Sequence, residues 1–294
     1  MKTVNQLILK SSSLSSAKKA ITDFNKYATE TSVMLSGFKK ETVVKELMEL
    51  IQNPDSFHPG VGAKFSGDAA IIAQYVLRYM PEVYVNTIID LYNTGKANYN
   101  NGRNIIRLTP SQNIRRWAYN TDKNESSKAT SQLFLYTLRE HFNEIDYYRG
   151  AQNTIWACSF LHSIWGVSNL SVQLRIAEEL VGFSCEKFGE QNSLLKSGKR
   201  SSVAMIQNLV SSSHLVIMLV NREQLIKTEI EKENSDINEL PETDYITILK
   251  LISLDENLLW MQWWDSGCIH EQIVPVNELE NILWGGFYIK PPAR

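Results

Sequence analysis

Three apolar stripes at helical spacing follow one another between residues 44 and 92, and the short apolar runs that predict strands follow after residue 214. Val44, Leu47, Met48 and Ile51 recur at i, i+3, i+4 and i+7, and Asn53-Pro54 stops the helix they predict. Ala69, Ile72, Ala73, Val76 and Met80 repeat the stripe up to Pro81. Val85, Ile88, Ile89 and Tyr92 take it up at once, and Gly95 stands where a left-handed C-terminal cap is expected. Helical patterns return at 133–142, 172–183 and 203–210. They give way to predicted strands at 215–220, 245–252, 258–264 and 273–276. A short helix from Asn277 through Trp284 is expected to break at Gly285-Gly286 before a last strand at 287–289. Helices segregated from antiparallel strands define an α+β class, N-terminal helices packed on a C-terminal sheet, and exclude the alternating pattern of a dinucleotide-binding fold.

The remaining segments frame that core. Residues 1–40 are rich in Ser, Lys, Thr and Asn and are expected to form a polar arm or a weak helix. Residues 41–294 then make one domain, with a helical part at 41–213 and a sheet part at 214–294. The polar stretch 96–131 predicts surface turns around a short hairpin or helix, and the carboxylate-rich stretch 228–243 a flexible loop. Thirty basic against thirty-two acidic residues leave a net charge of -2, which gives no overall footprint for nucleic acid. Arg115-Arg116-Trp117 with Lys123 and Lys128 reads as solvated surface.

Cys158, Cys185 and Cys268 are too scattered for a disulfide framework or a zinc site, so a reducing compartment and no bound metal or cofactor are expected. Cys158 and His162, four apart, lack a third ligand and read as core. The apolar start is too short for a signal peptide, and no window is apolar enough to span a bilayer. A soluble, cytoplasmic protein is the expectation.

The stretch most suggestive of chemistry is PGVGAKFSGDAAIIAQYVLRYM at 59–80, where a glycine-rich loop delivers Ser66 to the start of a buried helix. Unpaired amides and the positive dipole end at such a place favour a nucleophile and an oxyanion. Capping by Ser66 or Asp68 explains the same residues. Cys268 and His270, two apart on a predicted strand, have the spacing to share one side of it. Trp260, Trp263 and Trp264 read as sheet packing, and an exposed pair of them beside Asp265 would make a groove for an apolar ligand or peptide.

The segment SGDAAIIAQYVL at 66–77 resembles the Cys-Gly-x-Ala-Ala helix start of papain-like cysteine peptidases of the bacteriocin-processing kind and of related bacterial papain-like domains. The resemblance extends in order and spacing over 45–294, through PETDYITIL at 241–249, LLWMQWWDSG at 258–267 and GGFYI at 285–289. It implies a papain-like fold. Carried over residue by residue, it places Ser66 where the family has its cysteine and Asp244 where it has its histidine. Pro59 or Gly60 then takes the place of the oxyanion-hole glutamine, and Asp265 that of the orienting acid. A serine beside a carboxylate of ordinary pKa near 4 lacks a competent base at neutral pH. The resemblance therefore implies an inactive domain that binds a protein or peptide, of the kind found in bacterial toxin, effector or secretion-associated systems. The alternative is an active hydrolase or acyltransferase using Ser66 or Cys268 with His214 or His270.

Overall fold

The computed structural model describes residues 11–32, 34–35, 38–58, 67–112, 129–142, 170–182, 184–188, 203–212, 214–221, 225, 243–265 and 267–289. For residues 11–12, 67–69, 139, 170–173, 175, 221, 243–245 and 284 only the backbone is described. Contacts divide the chain into two compact units, which among the described residues comprise 11–142 with 179–182, and 170–178 with 184–289. Mixed helix and antiparallel sheet agree with the α+β class.

The first unit is built on helices. α1 (Ser11–Tyr27) is a helix in full, because Ala17, Ile21 and Phe24 supply one narrow buried stripe inside its Ser/Lys-rich sequence. It packs on α2 (Lys40–Gln52) and on α4 (Pro81–Thr94), where Phe24 meets Tyr92 edge-on at 4.9 Å. Ser32 ties the connecting loop down by donating to the Tyr92 carbonyl (2.6 Å) and accepting from the Leu35 amide (2.9 Å). In α2 the buried face is Val43, Leu47, Leu50 and Ile51, turned slightly from the predicted stripe.

α3 (Gly67–Tyr79) is buried from Ala70 to Leu77, as a helix that is apolar on nearly every side must be. Its neighbours include α2, α4, α5 (Ala129–Phe142) and the 3-10 turn Pro54–Ser56. Gln74 and Arg78 both reach Asp55 in that turn. The first amides of α5 are capped from a distance by Glu46, whose carboxylate accepts from Ala129 N, Thr130 N and Thr130 Oγ1.

Gly95 closes α4 at φ 68, its amide donating to the Leu91 carbonyl at 3.0 Å, as its position in the sequence predicts. The polar stretch that follows does form a hairpin, of β1 (Ala97–Asn100) and β2 (Ile105–Leu108), yet Tyr99 and Leu108 within it are fully buried. The hairpin caps the end of α6 (Leu170–Val181). Tyr99 Oη donates to the Leu180 carbonyl, and the Asn101 amide donates to Glu179 O and Leu180 O. Burial pushes the Tyr99 phenol far above its ordinary range, so it remains a donor.

The second unit is a six-stranded antiparallel sheet in the order β3-β8-β4-β5-β6-β7. The strands are β3 (Cys185–Phe188), β4 (Leu215–Asn221), β5 (Thr243–Ser253), β6 (Leu258–Asp265), β7 (Cys268–Pro275) and β8 (Leu283–Ile289). The near-continuous apolar run of β4 suits its central place, buried on both faces. Two helices, α7 (Val203–Ser211) and α8 (Val276–Ile282), pack on one face over a core that includes Val216, Met218, Ile246, Met261 and Trp263.

The predicted break at Gly285-Gly286 does not occur. β8 begins at Leu283 and runs through both glycines, with an irregularity at Trp284 between the pairs Leu219–Gly285 and Val220–Leu283. No described helix is long and apolar enough to cross a membrane.

Candidate functional site on the outer strands

β4 through β7 form a meander that ends at β7, whose outer edge is paired to no described strand. The β5–β6 turn is fixed by Asp255, whose carboxylate accepts from Asn257 N (2.7 Å) and Leu258 N (2.8 Å). The β6–β7 turn places Gly267 at φ 97, a conformation that favours glycine. Between them the register shifts at Leu249: Ile248 pairs with Trp263, but Lys250 pairs with Gln262. A bulge of one residue inverts which side chains face the core. Ile246 and Ile248 before it, and Leu251 after it, therefore all lie on the face covered by α7 and α8.

The same inversion turns Lys250 and Ile252 to the opposite face, where three cross-strand rows line up. Thr247, Trp264 and Ile269 form the first, Lys250, Gln262 and Glu271 the second, and Ile252, Trp260 and Ile273 the third. The first row starts buried at Thr247 and Trp264. The third opens to solvent: Ile252 is 44% and Ile273 58% exposed, and Ile269 on the same face of β7 is 45% exposed. Lys250 Nζ sits 5.8 Å above the half-buried Trp260 ring, and Gln262 Nε2 donates to the Glu271 carboxylate. The result is an apolar patch crossed by one polar row and bounded by a strand edge that no described strand pairs.

Trp263 and Trp264 are both buried, so no exposed tryptophan pair lies beside Asp265. Of the residues assigned by the resemblance, Ser66, Pro59 and Gly60 lie outside the described residues, as do Cys158, His162 and the 115–128 cations. Asp244 stands in β5 opposite Val220 near the end of β4, and Asp265 is the last residue of β6 and is buried. Because β5 and β6 are antiparallel, the start of one and the end of the other put both aspartates at one end of the sheet.

His214 precedes β4 and so lies at the other end, edge-on to Tyr288 at 5.2 Å, while Tyr288 donates to the Glu186 carboxylate. Cys268 and His270 do share a face of β7. Cys268 pairs with Asp265 and His270 with Trp263, on which its ring stacks at 5.1 Å.

The two described cysteines differ in environment. Burial, and secondarily the nearby Glu178 carboxylate, pushes the Cys185 thiol up to about 12, whereas Cys268 is exposed. Because the thiolate is the reactive form, iodoacetamide at about pH 8 is expected to label Cys268 in the folded protein and to spare Cys185 until denaturant is added. Peptide mass mapping checks this, and equal labelling of both in the folded state would contradict the burial of Cys185.

The signal for Glu271, Ile269 and Ile273 was present in the alternation of CIHEQIVP, but not which of its faces meets solvent. Comparison with protein families, with curated proteins and with solved structures finds no match to this chain.

Proposed function

We propose that this protein is a protein- or peptide-binding module of the cytoplasm, a papain-like domain that has lost catalysis. The observation that carries the reading is the row Ile252–Trp260–Ile273, exposed at both ends, running out to the edge of β7 that no described strand pairs. Exposed strand edges recruit extended peptides through main-chain hydrogen bonds, and side-chain contacts at alternate positions supply specificity. At the positions given by the resemblance, Ser66 replaces the thiol and Asp244 the imidazole, which leaves no group to take the proton of a nucleophile at neutral pH.

The test is turnover. Wild type is expected to cleave no peptide, ester or glutamine-amide substrate, and Ser66→Cys alone to remain inactive. The double variant Ser66→Cys with Asp244→His, which restores thiol and imidazole at the positions the resemblance assigns them, should be labelled by a thiol-reactive peptide electrophile at a rate well above Ser66→Cys. Turnover by wild type that vanishes in Ser66→Ala would refute the reading.

A second reading, thiol chemistry at Cys268, is favoured by one observation: Cys268 and His270 share a face of β7 and Cys268 lies across from Asp265. It requires hydrolysis that is lost in Cys268→Ala and kept in Ser66→Ala.

A further inference from the structure

The polar row that crosses the apolar patch carries information about what the patch accepts. On the solvent face of β7, Ile269, Glu271 and Ile273 alternate as apolar, acidic, apolar. Glu271 is exposed and accepts a hydrogen bond from Gln262, but it forms no ion pair among the described residues. Lys250, the cation of its row, is held over Trp260 with β6 between the two. The outer edge of β7 therefore presents backbone groups that no described strand pairs, two exposed isoleucines and a carboxylate between them.

Resting on the binding reading above, we infer that the occupant of this edge is an extended peptide whose side chains alternate apolar, basic, apolar on one face, added beside β7 as a further strand. Cross-strand neighbours interact directly. The apolar side chains then cover Ile269 and Ile273, and a Lys or Arg between them meets Glu271. A second copy of this chain fits less well. The antiparallel pairing that sets Ile269 opposite Ile273 of the other copy also sets Glu271 opposite Glu271, and like charges directly opposed are destabilising.

The experiment is selection of a random library of peptides of about ten residues, enough to run the length of a strand, on the immobilised full chain. Binding of the recovered peptides is then measured by titration in solution. Recovered sequences should carry Lys or Arg flanked two residues away on each side by apolar residues. Ile273→Asp should weaken them roughly tenfold or more, by placing a charge in the apolar contact. Glu271→Lys should invert the central preference, so that the Lys-to-Glu version of a peptide binds about fivefold better than its parent, the size of a strong cross-strand charge pair.

Peptides lost in Ile273→Asp but indifferent to Glu271→Lys would overturn the charge rule and leave the binding reading standing. Peptides indifferent to both variants would place the docking site elsewhere, with the same consequence. Recovery of no peptide would overturn both. A dimer in sedimentation that Ile273→Asp dissociates would make the second copy the occupant and overturn the inference.

Discussion

Gly286→Ala is expected to remove at least about 3 kcal/mol of stability, the upper range of overpacking in a close-packed core. Gly286 lies in β8, paired with Phe188 of β3 on one side and Met218 of β4 on the other. A Cβ there would overlap the Ile217 carbonyl oxygen and stand 2.6 Å from Phe188 Cζ. The carbonyl belongs to the backbone of a central strand and cannot move without disturbing its pairing. Against a total stability of roughly 5–15 kcal/mol, such a loss brings the domain close to unfolding. Gly102, in the β1–β2 loop, is the control: its φ of 86 strains any side chain, but nothing lies within 4 Å of the added atom. Gly102→Ala should cost only about 1–2 kcal/mol. Urea midpoints at unchanged slope measure both. A Gly286→Ala protein as stable as wild type would mean that β8 does not run between β3 and β4.

Trp263→Ala and Trp260→Ala should separate stability from binding. Trp263 is buried in the core beneath α7 and α8, with His270 stacked on it, so its truncation should cost about 3–5 kcal/mol. Trp260, on the opposite face, is half-buried beside Ile252 and Ile273. Its truncation should cost about 1 kcal/mol or less in stability and weaken a selected peptide by roughly tenfold. Thermal or urea unfolding, together with peptide titration of both variants, reads the two effects. The reverse pattern, a tolerant position 263 and a peptide indifferent to position 260, would place the functional face on the wrong side of the sheet.

The elements that could be read from the sequence are those whose local period is strong. The stripes leading into Gln52, Tyr79 and Thr94 became α2, α3 and α4, and the apolar runs at 215–220, 245–252 and 258–264 became β4, β5 and β6. α1 was half-hidden because only Ala17, Ile21 and Phe24 mark its buried side. β3 carries no local signal, because CEKF is four residues long and becomes a strand only through pairing with β8. The glycine pair suggests a helix break in the sequence, but Gly286 is needed where backbones crowd, not where a helix ends.

The candidate site was legible in part. Asp244 and Asp265 reach one end of the sheet simply because consecutive antiparallel strands reverse direction. The solvent-facing row was not, because the bulge at Leu249 inverts the alternation that would otherwise have put Ile252 on the same side as Ile246 and Ile248.

The most direct test of a domain that binds without reacting is to incubate a selected peptide with a stoichiometric amount of the protein and weigh what is recovered by mass spectrometry. The account predicts peptide of unchanged mass, retained by wild type and released from Ile273→Asp. Peptide fragments or a covalent adduct, abolished by Ser66→Ala or by Cys268→Ala, would contradict it.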